Sequence, residues 1–189
     1  MTNQKRLIAL LAERSAKRGD FVLASGRKSN LYIDARLTAM SPEGQLLIGR
    51  VALAAIADFG VPVDAVGGLT LGADPIAYAI AHASAAAAEV GQTKMVRAFT
   101  VRKEPKQYGT GKLIEGPFQS GDTVVVIEDV ITTGGSARKA VEAVRNAGGV
   151  VVGVLALVDR QEGGREALEA AGLKVSSLSS AAEIVALLD

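Results

Sequence analysis

The sequence predicts an α/β fold, a central, mostly parallel sheet flanked by helices. Three observations predict it. From Val63 onward, strand-like and helix-like stretches alternate, the pattern of a sheet built through right-handed crossover connections. The runs TVVVI (Thr123–Ile127) and VVVGVLALV (Val150–Val158) are continuously aliphatic, as expected of strands covered on both faces. Hydrophobic residues make up 49% of the 189 residues, enough to bury the core of one ordinary domain.

Taken in order, Leu7, Ile8, Leu10 and Leu11 at helical spacing predict a first helix, closed by Gly19. FVLASGRKSNLYIDAR (residues 21–36) predicts two short strands around a turn. Ser41-Pro42-Glu43 then starts a helix, with a serine cap and a proline in its first turn. Leu46, Leu47, Val51, Leu53 and Ile56 keep its apolar face. Strands are expected at Val63–Val66, Met95–Val101, Thr123–Ile127, Val150–Val158 and Val175–Leu178. Helices are expected from Asp74 to about Glu89, and over Ser136–Ala147, Arg165–Ala171 and Ala181–Leu188. The last opens with Ser180 and Glu183 at capping-box spacing. No repeat or interdomain linker interrupts the chain.

Composition narrows the chemistry. Lys and Arg total 21 and Asp and Glu 20, so the formal charge of +1 argues against a nucleic-acid or membrane coat. Aromatics are 4% and tryptophan is absent, which disfavours a base-stacking platform. With no cysteine there is no disulfide, thiol catalysis or cysteine-ligated metal. A single histidine, His82 in an alanine-rich helix, leaves no histidine metal cluster and reads as packing or surface. The N-terminal apolar run is too short for a secretory signal, and no stretch reaches the roughly eighteen apolar residues of a membrane span. A cytoplasmic protein is expected.

Two segments carry chemistry. Between Val101 and Thr123 lies a connection too long for a compact domain, with Arg102, Lys103, Lys106 and Lys112 set against Glu104, Glu115 and Asp122. It reads equally as a solvated loop or as a lid that brings cations to an anionic substrate. The second segment, VVVIEDVITTGGSA (Val124–Ala137), is a buried strand ending in two acids, then a hydroxyl- and glycine-rich turn opening a helix. Gly134 and Gly135 let the backbone approach a ligand, and the free N–H groups of the helix start make an anion site. Thr132, Thr133 and Ser136 add hydroxyl donors, and Glu128 and Asp129 are placed to accept hydrogen bonds from sugar hydroxyls. A Walker loop is excluded because Leu113 follows Gly111-Lys112, and no G-x-G-x-x-G occurs.

This segment resembles the phosphoribosyl-pyrophosphate (PRPP) motif of type I phosphoribosyltransferases. Four further segments resemble the orotate-using branch of that family, in the right order: FVLASGRKSNLYIDAR, VGGLTLGADPIA (residues 66–77), VRKEPKQYGTGKLIEG (residues 101–116) and LVDRQEGG (residues 157–164). The resemblance implies one phosphoribosyltransferase domain over residues 1–189. Within it, residues 1–40 form an N-terminal hood, 63–178 the α/β core and 102–121 a mobile catalytic loop. It also implies transfer of phosphoribosyl from PRPP to N1 of orotate, giving orotidine 5′-monophosphate for pyrimidine synthesis.

The same resemblance assigns residues. Glu128, Asp129, Val130, Ile131, Thr132, Thr133, Gly134, Gly135, Ser136 and Ala137 are expected to bind PRPP. Thr133 to Ala137 cradle the 5-phosphate, and the two acids hold the ribose. Arg102, Lys103, Lys106, Tyr108 and Asp129 are expected in catalysis, some of the cations reaching the neighbouring subunit of a homodimer. Thr132, Arg160, Ser25, Gly26 and Lys28 are expected at orotate. Magnesium is expected to ride on PRPP, with no all-protein metal site. Without the resemblance, Arg160 reads as a surface arginine paired with Asp159 or Glu162, and Phe21 and Tyr32 as packing residues. The chain departs from many relatives at Tyr108, where they have histidine, and at Gly72, where they have a pyrophosphate-binding lysine, and from some members at Ala24, where they have a lysine near orotate. The rival expectations are another nucleobase as acceptor, or a PRPP-sensing regulator without catalysis.

Overall fold

A computed structural model describes residues 1–22, 28–104 and 112–188. Helix α1 (Asn3–Ser15) opens on Thr2, whose side chain accepts from the backbone N–H of Lys5. The helix stops at Ser15 rather than at Gly19. Ala16 is already extended and pairs with Ile33, so strand β1 (Ala16–Val22) runs antiparallel to β2 (Lys28–Ile33) as a separate two-stranded sheet. Gly19 falls where the register shifts between Arg18 and Phe21, serving a bulge instead of a helix end. A four-residue helix α2 (Arg36–Ala39) leads into α3 (Pro42–Ala57). Ser41 caps α3 through the N–H of Gly44, with Pro42 in the first turn as its sequence pattern predicts.

The remaining elements alternate. They are β3 (Ala65–Leu69), α4 (Ala73–Glu89), β4 (Arg97–Val101), β5 (Ile114–Glu115), β6 (Thr123–Ile131), α5 (Gly135–Asn146), β7 (Val150–Asp159), α6 (Gly164–Glu169), β8 (Val175–Ser180) and α7 (Ala181–Val185). Their sheet has the order β5-β4-β3-β6-β7-β8. All neighbours are parallel except β5, which returns antiparallel to β4 through Thr100 opposite Glu115. A short strand thus occupies part of the long cationic connection. Ser180 and Glu183 form the expected capping box at α7.

Alternate residues of the central strands feed two cores, as the aliphatic runs require. Val125, Ile127, Leu155 and Leu157 pack with Leu10 of α1, Ile48 of α3 and Ile80 of α4. Val124, Val126, Val154 and Ala156 pack with Val141 and Val144 of α5 on the other face. Among the described residues no helix is long and apolar enough to cross a membrane. Strand β6 does not end before its acids. It continues to Ile131 because Glu128, Val130 and Ile131 keep their pairing with Ala156, Val158 and Asp159. Rigid strand backbone therefore carries both acids to the carboxyl edge of the sheet, where open α/β sheets bind ligands.

Candidate active site

A cavity of about 660 Å³ opens at that edge. Its walls are Tyr32–Arg36 from the end of β2 to the start of α2, the β3–α4 turn from Leu69 to Gly72, and Lys103 beyond β4. Glu128–Val130, Thr132, Thr133 and Ser136 from β6 and the following turn, with Arg160 just past β7, complete them.

The turn after β6 is shaped for an anion. Gly134 precedes α5 with a φ of 76°, a left-handed conformation costly for other residues, and no side chain caps the helix. The first N–H groups of this twelve-residue helix are thus left for a ligand. Thr133, Gly135 and Ser136 are exposed there, whereas Ile131 and Ala137 are buried in the α5-side core and offer only their backbones. Gly134 also packs against Gly164 and Leu168, so the glycine turn rests on the start of α6.

The acid pair is asymmetric. Glu128 is 8% exposed, and its Oε2 has no hydrogen-bond partner. Burial, reinforced by the adjacent Asp129, pushes its carboxyl up to about 9, so it holds its proton at neutral pH. Asp129 is half-buried, and its Oδ1 accepts from the N–H of Val130 at 2.9 Å. Gly72 lies directly against the Asp129 carboxylate, and a Cβ at position 72 would collide with it. The absence of a side chain at position 72 is what lets Asp129 sit where it does.

Arg160 is not a surface residue. Its side chain is 7% exposed, and Nη2 donates to Glu162 at 2.8 Å, Ser29 Oγ at 3.2 Å and the Leu31 carbonyl at 3.4 Å. Asp159 pairs instead with Arg165 at 2.7 Å. Arg160 therefore ties strand β2 to the end of β7, and its buried Nε remains unpartnered. Lys103 is exposed at the cavity wall. Arg102 turns toward Glu115 at 3.6 Å and does not line the cavity. Ser25, Gly26, Lys106 and Tyr108 lie outside the described residues, as does Ala24, and of Lys28 only its place in β2 is described.

Sequence reasoning took Tyr32 for a packing residue and missed two further features here. Tyr32 lines the cavity, 41% exposed, with its ring 5.3 Å from that of Phe21. Arg36 forms a two-pronged pair with Asp34, Nε to Oδ1 at 2.8 Å and Nη2 to Oδ2 at 2.9 Å, which holds the Asp34 carboxyl below its ordinary range. Buried Asp74 accepts from Thr70 Oγ1 at 2.6 Å and Thr100 Oγ1 at 2.9 Å, fastening the β3–α4 turn to the end of β4. The Thr70–Leu71 peptide in that turn is cis. Only the short Asp-x-Arg spacing of Asp34 and Arg36 was visible beforehand, and it carries no signal by itself.

Residues 43–179 match the model of the phosphoribosyl transferase domain. The orotate phosphoribosyltransferase of Aquifex aeolicus is 45% identical over 188 residues, covering 98% of this chain and 99% of that protein. The chain is a member of the orotate phosphoribosyltransferase family. Among solved structures, the Mycobacterium tuberculosis orotate phosphoribosyltransferase in complex with PRPP is 40% identical, with a TM-score of 0.81 over 97% of this chain and 99% of that one. An adenine phosphoribosyltransferase from Leishmania donovani, 19% identical with a TM-score of 0.62 over 97% of this chain and 83% of that one, shares the fold alone. As in the type I phosphoribosyltransferase fold, this family member carries its glycine turn at the carboxyl edge of a mostly parallel sheet.

Proposed function

We propose that the protein transfers the 5-phosphoribosyl group of PRPP to N1 of orotate, releasing pyrophosphate and forming orotidine 5′-monophosphate for pyrimidine synthesis. One observation carries the reading: a single cavity joins an uncapped helix start, an acid pair and a buried arginine. In the reaction the C1–oxygen bond to pyrophosphate breaks, the C1–N1 bond forms, and the N1 proton leaves to solvent. The transition state gathers positive charge on the ribose and needs no protein nucleophile, so the site works by positioning and electrostatics.

On this reading the α5 start, with Thr133 and Ser136, holds the 5-phosphate. Asp129 accepts hydrogen bonds from the ribose hydroxyls and faces the developing charge, while protonated Glu128 both donates and accepts. Arg160 offers its planar fork to the orotate carboxylate or ring carbonyls, beside Thr132 and Tyr32. Lys103, with Lys106 and Tyr108 of the adjoining loop and Arg102 across a subunit boundary, meets the pyrophosphate. Ser25, Gly26 and Lys28 complete the orotate end. Magnesium supplies charge neutralisation when it arrives on PRPP. The cavity's oxygen-rich lining suits a hard cation held mainly by substrate oxygens and water.

We also propose a homodimer, working in the cytoplasm. Leu37, Met40, Leu46, Leu71 and Tyr78 are each more than half exposed, on or beside helices α2, α3 and α4, which pack together.

The deciding experiment follows orotate absorbance with PRPP and magnesium, with uracil, adenine and hypoxanthine as parallel acceptors. Magnesium-dependent loss of orotate alone is expected. Turnover of another base would reassign the acceptor, and tight PRPP binding without turnover of any base would favour a regulator.

A further inference from the structure

Among the described residues, Arg36 is the one cavity cation to which the proposed chemistry has given no task. It stands at the start of α2, with its side chain 48% exposed. Asp34 grips Nε and Nη2 side-on, which orients the guanidinium plane. The Nη1 amino group makes no hydrogen bond among the described residues, so part of the fork remains available. Because the Arg36 side chain is half exposed, the Asp34 pair orients it without satisfying its whole fork.

Its position separates it from Arg160. Arg160 is held at the hood side by Ser29 and Leu31, where the acceptor base belongs. Arg36 instead lies within electrostatic reach of Asp129, and the Asp129 carboxylate rests directly on Gly72. Arg36, Asp129 and the Leu69–Gly72 turn therefore share one corner of the cavity. That turn contributes no charged side chain: Leu69, Thr70, Leu71 and Gly72 offer a hydroxyl, aliphatic groups and backbone. An anion entering the corner meets a carboxylate at Asp129 and needs an opposing cation fixed in place. Arg36 is that cation among the described residues, with exposed Lys103 at the wall beyond β4.

We propose that Arg36, oriented by Asp34, binds the pyrophosphate moiety of PRPP and of the released product at the corner formed by Asp129 and Gly72. The inference rests on the PRPP-dependent reading above and names a residue of that same site. Once the C1–oxygen bond breaks, negative charge accumulates on the leaving pyrophosphate, and a preoriented guanidinium meets it without reorganising. The planar fork suits two phosphate oxygens at once, which a lysine in the same place would not match.

The test compares the full-length wild type with Arg36→Ala and Arg36→Lys. Calorimetric titrations use magnesium–PRPP and magnesium–pyrophosphate, alongside steady-state kinetics with orotate and melting curves. Arg36→Ala is expected to weaken PRPP and pyrophosphate by about tenfold or more, the scale of one charge-assisted contact. The KM for orotate stays within about twofold, because the lost contact is not made to the base. The melting temperature falls only slightly, by the loss of the part-exposed Asp34 pair, and Arg36→Lys restores part of the affinity. Unchanged binding of both phosphorylated ligands in Arg36→Ala overturns the proposal. So does an equal loss for orotate and PRPP, which would assign Arg36 to shaping the hood. If the wild type binds PRPP but consumes no orotate, the transfer reading falls, while a selective PRPP loss in Arg36→Ala still upholds this site. A wild type that does not bind PRPP overturns both.

Discussion

Glu128 keeps its proton to about 9 because burial and the neighbouring Asp129 both oppose its charge. Its ordinary value is 4.5, so its folded-state pKa is raised. Stability linked to the neutral form is complete below the unfolded value and is lost as pH rises through the folded one. The melting temperature of the free protein is therefore expected to fall between about pH 5 and pH 9, and Glu128→Gln, neutral throughout, should flatten that fall. The lowered carboxyls of Asp34 and Asp64 act in the opposite sense but in the acid range, since both titrate below 3.8. Parallel wild-type and Glu128→Gln curves would remove this account. The two turn glycines make a second contrast. Gly134 has a left-handed φ and is crowded by Gly164 and Leu168, so Gly134→Ala should cost about 1–3 kcal/mol of stability in urea melts. Gly135 has open space and lies in the helix, so Gly135→Ala should stabilise slightly, by up to about 1 kcal/mol. Its methyl nevertheless stands at the helix start, so the KM for PRPP should rise.

Among elements, those with a local signature were legible. Ser41-Pro42 and Ser180/Glu183 announce α3 and α7 because a cap is a contact within a few residues. The same holds for the strand–glycine turn–helix order, which is contiguous from Glu128 to Ser136. The end of β6 was misread because Glu128 and Asp129 look like strand terminators, while cross-strand pairing with β7 overrides that preference. Two-residue β5 and four-residue α2 are too short for any periodicity to register. The Asp74 clamp was invisible for another reason: its donors come from a turn and a strand, with Thr100 lying 26 positions away. Asp74→Ala leaves Thr70 and Thr100 without their acceptor and should cost about 1–3 kcal/mol in urea melts. It should also raise the KM for PRPP, because the Leu69–Gly72 wall loses its tie to β4. Asp74→Asn keeps an acceptor oxygen and should recover part of both losses. Loss of stability with kinetics untouched would make Asp74 a fold residue only.

At the scale of the whole molecule, the near-neutral charge and the placement of Arg102 lead to the same question of assembly. Arg102 faces Glu115 rather than its own cavity, with its Nε buried and unpartnered. Among the described residues, Lys103 and Arg36 are the cations its own cavity offers a pyrophosphate, and Arg102 is left over for a neighbouring copy. The exposed apolar residues of α2, α3, α4 and the turn before α4 offer a surface on which a second copy would bury them, against the roughly 800 Å² per partner of a stable interface. A charge placed in that surface should be expelled from an interface yet tolerated by a monomer, since Met40 and Leu46 are 52% and 53% exposed. Met40→Glu combined with Leu46→Glu should therefore shift sedimentation from dimer to monomer while leaving the melting transition cooperative. If the dimer shares its sites, that monomer should still bind PRPP at the α5 start but turn over orotate far more slowly. A monomeric double variant with full turnover would confine the whole site to one chain, and a wild type that already sediments as a monomer would remove the dimer altogether.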